Sequence, residues 1–196
     1  MNDQITEAVT VLSQGGIIIF PTDTAFGIGC RLDKPESVDR LFALRKRPST
    51  QAMPVLVDSI AMALSYLDSP GDIVRRMMQA HWPGGLTIVA PCKTDRIYSP
   101  IRGGGTTIGV RMPDHEITRS IITGATVPIL GSSANFHGEK TPFHLTDLDP
   151  QLVQLVDYVV SGSCKVGKAS TVVDTTQTPA VIVREGAVHL APHELL

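Results

Sequence analysis

Apolar residues open the chain at helical spacing. Ile5, Val9 and Leu12 fall on one face, and Gly15-Gly16 closes the pattern. Ile17-Ile-Ile-Phe20 is then an unbroken apolar run, which predicts a buried strand. Pro35, following Asp33, has the place of a first-turn proline, so a helix is predicted from there to about Lys46, where Pro48 stops it. Met53-Pro-Val-Leu-Val57 reads as a strand, with Pro54 placing it at an edge or near its start. Helical patterns cover 59–67 and 71–81, the second ended by Pro83-Gly84-Gly85. Strands are expected at 86–90, 106–111, 127–130 and 158–160, with helices at 114–123, capped by Asp114, and at 149–156. Ser170-Thr-Val-Val-Asp174 and Ala180-Val-Ile-Val-Arg184 look like two adjacent strands. Short apolar strands alternating with helices predict an α/β fold in which helices cover a twisted sheet. The late strand pair makes that sheet mixed. Neither repeat nor linker interrupts the chain, so a single domain over 1–196 is expected.

Composition narrows the class. With 42% hydrophobic and 18% charged residues, the 196-residue chain is neither disordered nor membrane-spanning. Its first residues lack a signal-peptide pattern, and a cytoplasmic location is expected. Cys30, Cys92 and Cys164 are odd in number and show no CxxC spacing, which suggests neither a disulfide framework nor a zinc site. A net charge of −2 argues against a generally basic nucleic-acid binder.

Candidate chemistry gathers at the strand ends. Phe20-Pro-Thr-Asp-Thr-Ala-Phe-Gly27 crowds two hydroxyls and a carboxylate where α/β proteins hold ligands. Arg45-Lys-Arg47 either complements its helix dipole or clamps a polyanion. Gly131-Ser-Ser-Ala-Asn135 follows a strand and is either a ligand loop or a simple turn. Arg111 and Arg184 each close an apolar strand and need an anion, either a structural carboxylate or a ligand. Gly162-Ser-Cys-Lys-Val-Gly-Lys-Ala169 fits GxxxxGK, but it ends in Ala and leads into a strand pattern, so a phosphate-binding P-loop is rejected. Together the Thr, Ser, Asn and Arg residues suit binding of an anion and a small polar molecule better than acid–base hydrolysis.

Seven ordered blocks make the chain resemble a known family. Pro21-Thr-Asp-Thr-Ala-Phe-Gly-Ile-Gly29, Leu44-Arg-Lys-Arg-Pro48, Trp82-Pro-Gly-Gly-Leu-Thr87, Val110-Arg-Met-Pro113, Ser132-Ser-Ala-Asn135, Ser170-Thr-Val-Val-Asp174 and Arg184-Glu-Gly186 are similar to the YrdC (TsaC) family, the threonylcarbamoyl-AMP synthases, in its short form. That resemblance implies a YrdC-like fold with a large concave, positively lined cavity. It implies a reaction of L-threonine, bicarbonate and ATP that gives threonylcarbamoyl-AMP and pyrophosphate, with Mg2+ accompanying ATP and no protein-held metal. The product would pass to the tRNA threonylcarbamoyl transferase machinery that modifies adenosine 37, and weak RNA or tRNA binding is a further expectation. By resemblance, Arg45 and Arg47 are catalytic and hold ATP with Thr107, Asn135 and Arg184. Thr22, Thr24, Arg111, Ser133 and Ser170 take threonine and bicarbonate. Gly27 and Gly29 would let backbone pass beneath the substrate. Arg45 replaces the family's usual lysine, Gln51 stands where many members have another, and Phe26 replaces a tyrosine. The rival readings are a non-catalytic double-stranded RNA- or tRNA-binding paralogue of the same fold, and a paralogue acting on another carbamoyl-type substrate.

Overall fold

Residues 3–196 of the computed structural model are described. The first helix, α1 (Asp3–Ser13), buries Ile5, Ala8 and Leu12, one residue off the expected stripe at its middle position. It packs on α5 (Glu116–Ala125), whose Ile121, Ile122 and Ala125 complete an apolar layer with Ile18, Phe20 and Ile129. Asp114 does not cap α5. The helix begins two residues later, and the Asp114 backbone N–H donates to the Asp23 carboxylate instead.

Two mixed sheets form the body. The smaller joins β1 (Ile18–Phe20), β2 (Gly27–Gly29), β7 (Ser132–Ser133) and β8 (Tyr158–Val159) in the order β7-β2-β1-β8. The larger joins β3 (Val55–Leu56), β4 (Leu86–Pro91), β5 (Thr107–Arg111), β6 (Ile129–Leu130), β9 (Thr171–Asp174) and β10 (Val181–Arg184) in the order β10-β9-β4-β5-β3-β6. Parallel and antiparallel pairs alternate across the larger sheet, as the expected mixed topology requires, and β9 and β10 are the antiparallel neighbours that the pattern predicted. The split into two sheets was not expected. It occurs because β6 and β7 are separated only by Gly131, so the chain leaves one sheet and enters the other within a single residue.

Glycine permits the sheets to meet. A Cβ on Gly29 would lie 1.7 Å from the Leu130 carbonyl oxygen, and one on Gly131 would lie 2.3 Å from the Leu56 side chain. The bare backbone at Gly29 therefore admits the neighbouring strand, not a substrate, which corrects the role given to it above.

The remaining helices cover the sheets. α2 (Pro35–Leu44) turns Val38, Leu41 and Phe42 into the main core, and α4 (Asp72–His81) adds Val74, Met77 and Met78. Helix α2 ends at Leu44, not Lys46, because Lys46 adopts a left-handed φ of 55°. That turn gives Arg45 and Arg47 different hydrogen-bond partners, residues 132–135 for the first and 51–52 for the second. Ser59 caps α3 (Ile60–Tyr66) by accepting the Met62 N–H, and Asp149 caps α6 (Pro150–Leu155) from the Gln151 N–H. Among the described residues, no helix is long and apolar enough to cross a membrane.

Candidate active site

Where the sheets meet, their strand ends and loops wall a pocket of about 170 Å³. Thr22, Thr24 and Phe26 come from the turn after β1, Arg45 and Arg47 from the end of α2, Thr87 from β4 and Arg111 from the end of β5. Ser132, Ser133, Thr141, Ser170 and Arg184 close it from the other side. Eight of the ten residues singled out from sequence thus share one lining: Thr22, Thr24, Arg45, Arg47, Arg111, Ser133, Ser170 and Arg184. No carboxylate, histidine, lysine or thiol is among its lining residues.

Two of the ten stand apart. Thr107 pairs with Pro91 at the start of β5, four residues and about 13 Å along the strand from Arg111, outside this lining. Asn135 is buried outside this lining, against a second cavity of about 370 Å³ that Glu139 and Lys140 also line, and its side chain is bonded within the protein. Its Oδ1 accepts from Arg45 Nη2 at 3.1 Å and Ser133 Oγ at 2.6 Å, and its Nδ2 donates to the Glu139 carbonyl at 2.6 Å.

The turn after β1 is organised by its own hydroxyls. Thr22 Oγ1 accepts the Ala25 N–H at 3.1 Å and the Thr24 N–H at 3.2 Å, and donates to the Ala25 carbonyl at 2.6 Å. That is the bonding of a local hydroxyl-stabilised turn; with the Thr22 proton given to Ala25, the Thr24 hydroxyl donates to Thr22 Oγ1 at 3.1 Å and offers its lone pair to Arg111. Asp23, between them, is buried and forms an ion pair with Arg111. Arg111 also donates to Thr24 Oγ1 at 2.7 Å and to the Gly84 carbonyl at 2.9 Å. The structural-carboxylate alternative therefore holds for Arg111. Burial lowers its pKa, and Asp23 opposes that shift.

The other arginines of the lining, Arg45, Arg47 and Arg184, have no carboxylate partner among the described residues. Arg45, 2% exposed, donates from Nε to the Asn135 carbonyl at 2.9 Å, from Nη1 to Ser132 Oγ at 2.8 Å, and from Nη2 to Asn135 Oδ1. Burial pushes its pKa down to about 10, and the like charge of Arg47 adds to the effect. Arg47 donates from Nε and Nη2 to the carbonyls of Gln51 and Ala52, and Arg184 donates from the same two nitrogens to the Ser170 carbonyl and hydroxyl. Burial lowers both pKa values. Neither Arg47 nor Arg184 uses Nη1 within the described residues. A buried guanidinium whose partners are only neutral oxygens, as at Arg45, is costly, and an anion in the pocket would offset that cost; Arg47 is half-buried and Arg184 exposed, so both are open to a ligand.

The serines present opposite polarity. Ser170 Oγ accepts from Arg184 Nη2 at 2.9 Å and from Thr87 Oγ1 at 3.0 Å, so its own proton is available to a ligand. Ser133 donates its proton to Asn135 and shows lone pairs to the pocket. Sequence reasoning missed Thr87, Ser132 and Thr141 as lining residues, as well as Asp23 as the partner of Arg111. Thr87 and Ser132 lie inside quoted family blocks and were legible there, whereas Thr141, alone among loop residues, carries no signal. The GxxxxGK segment is irregular and runs into β9, not a helix, as a rejected P-loop should.

The pattern of the Sua5–YciO–YrdC family, described as telomere recombination, matches residues 10–186. The chain belongs to this family. It is 29% identical over 189 residues to a threonylcarbamoyl-AMP synthase of Bacillus subtilis, covering 94% of this chain and 54% of that protein. An uncharacterized protein of Haemophilus influenzae is 31% identical over 193 residues, covering 96% and 91%. The crystal structure of Pyrococcus abyssi Sua5 complexed with L-threonine superposes with a TM-score of 0.86 at 28% identity, covering 93% of this chain and 54% of that one. The chain thus spans about half the length of the B. subtilis and P. abyssi relatives.

Proposed function

We propose that this chain is an L-threonylcarbamoyladenylate synthase: it joins L-threonine, bicarbonate and ATP into threonylcarbamoyl-AMP, releasing pyrophosphate. The carrying observation is a pocket free of carboxylates, in which Arg47 and Arg184 each keep an uncommitted Nη1 beside the opposed hydroxyls of Ser133 and Ser170. The names of relatives support the reading, as does the threonine bound to P. abyssi Sua5.

The chemistry asks for such a site. Threonine's amine and bicarbonate form a carbamate with loss of water. A carbamate oxygen then bonds to the α-phosphorus as the bond from phosphorus to the pyrophosphate oxygen breaks. No protein nucleophile or base is consumed, and alignment with charge stabilisation supplies the catalysis. Arg47 and Arg184 would take phosphate oxygens through their open Nη1 groups. Arg111, Thr24 and Ser170 would face the threonine and carbamate end, with Thr22 shaping the turn that carries Thr24. Magnesium would arrive with ATP. The lining offers it no carboxylate, so phosphates and water would hold it. The product would serve a transferase that acts on tRNA.

Pyrophosphate release by the purified protein tests the proposal. Release is expected only when ATP, threonine and bicarbonate are all present. Release indifferent to threonine, or none at all, would overturn it. RNA retention that falls with salt but not with ATP would instead favour the non-catalytic reading.

A further inference from the structure

Family resemblance gives Arg45 the place of a phosphate-binding lysine, yet its bonding is that of a scaffold. All three nitrogens of its guanidinium already donate to residues 132–135: Nε to a main-chain carbonyl, Nη1 to a serine hydroxyl and Nη2 to an amide oxygen. Its own carbonyl accepts the His137 N–H at 2.9 Å, so side chain and backbone bind the same loop from both ends. A lysine could not reproduce this, because its ammonium is one compact point and these acceptors are spread around a planar fork.

The consequence reaches the pocket through Asn135. Arg45 Nη2 can only donate, so the amide must turn its oxygen toward it. The Glu139 carbonyl can only accept, so the amide must turn its nitrogen there. With the amide fixed, its oxygen also captures the Ser133 proton at 2.6 Å. Ser133 is thereby held as an acceptor toward the pocket, ready for a ligand N–H or O–H. We propose that Arg45 is a positioning residue, which locks the Ser132–Asn135 turn and sets the hydrogen-bond polarity of Ser133, while the phosphates are gripped by Arg47 and Arg184. The choice of ligand to titrate rests on the synthase reading; the locking of the turn does not.

Two measurements test this on the full chain. In the first, amide hydrogen exchange compares wild type with Arg45→Lys, Ser132→Ala and Arg47→Lys. Exchange at residues 132–137 rises at least tenfold in Arg45→Lys and by less in Ser132→Ala, and is unchanged in Arg47→Lys. Protection equal to wild type in both Arg45→Lys and Ser132→Ala overturns the proposal, and Ser132→Ala still answers if Arg45→Lys fails to fold. In the second, calorimetric titrations compare adenosine, AMP and ATP, with threonine titrated separately. Arg45→Lys weakens adenosine, AMP and ATP by a similar factor and weakens threonine as well, whereas the loss in Arg47→Lys grows with phosphate number. A loss in Arg45→Lys that grows with phosphate number, or no loss despite faster exchange, overturns the positioning role. If wild type binds neither nucleotide nor threonine, the synthase reading falls, while the exchange result still decides whether Arg45 locks the turn.

Discussion

Arg45 and Arg111 are anchored to the protein through every guanidinium nitrogen; Arg47 and Arg184 are not. In the first pair all three guanidinium nitrogens have protein acceptors, and in the second each Nη1 has none among the described residues. All four line one pocket and all four have lowered pKa values because of burial. Exposure follows the same division, with Arg45 and Arg111 buried, Arg47 half-buried and Arg184 exposed. A cation anchored through every nitrogen shapes the site, and one with a whole Nη unanchored can turn it to an anion. Arg111 carries this furthest, since Asp23 neutralises it inside the wall.

The largest effect expected from this division is on folding. Arg111→Met would leave the Asp23 carboxylate buried without its cation and cost about 3–5 kcal/mol, read from denaturant unfolding. A loss below 1 kcal/mol would show that Arg111 is not anchored after all. Next in size are Arg47→Ala and Arg184→Ala, which remove no ion pair and should unfold near the wild-type midpoint. Each should weaken ATP binding by roughly 10- to 100-fold, since a hydrogen bond to a charged group contributes about 1.5–3 kcal/mol. Wild-type affinity in both variants would erase the distinction.

A smaller, pH-dependent effect follows from Arg45. Its folded pKa of about 10 lies below the ordinary arginine value, so between the two the unfolded chain holds more protons. The contribution of this group to stability therefore rises with pH across that window and is lost as pH falls through about 10. Denaturant unfolding of wild type against Arg45→Met checks the sign: the difference should shift in favour of wild type as pH climbs through about 10, and a shift the other way would contradict the lowered pKa. The smallest effect belongs to Arg40→Met, which breaks the exposed pair with Asp157 at 2.7 Å and should cost about 0–1 kcal/mol. Set beside Arg111→Met, it shows how far burial, not ion pairing as such, sets the scale.

Parts of the fold were legible for a definite reason. β4, β5, β9 and β10 are built from β-branched and apolar runs long enough to declare themselves. β2 and β7 were not, because Gly27-Ile-Gly29 and Ser132-Ser133 have no strand preference and exist only by pairing with each other and with β1. Arg45 shows the same limit within the site. Its charge and its place at a helix end could be read, but whether its donors were free could not.

Residue order alone thus determined that hydroxyl and guanidinium groups would cluster at strand ends, and that the helices and longer strands would form, since those follow from local periodicity. Only the tertiary structure decided which groups remain available to a ligand. Arg45 finds its acceptors 87 and 90 residues away, and Arg111 finds Asp23 88 residues away. A hydrogen bond depends on tenths of an ångström between such distant partners, and no neighbouring residue along the chain carries that information.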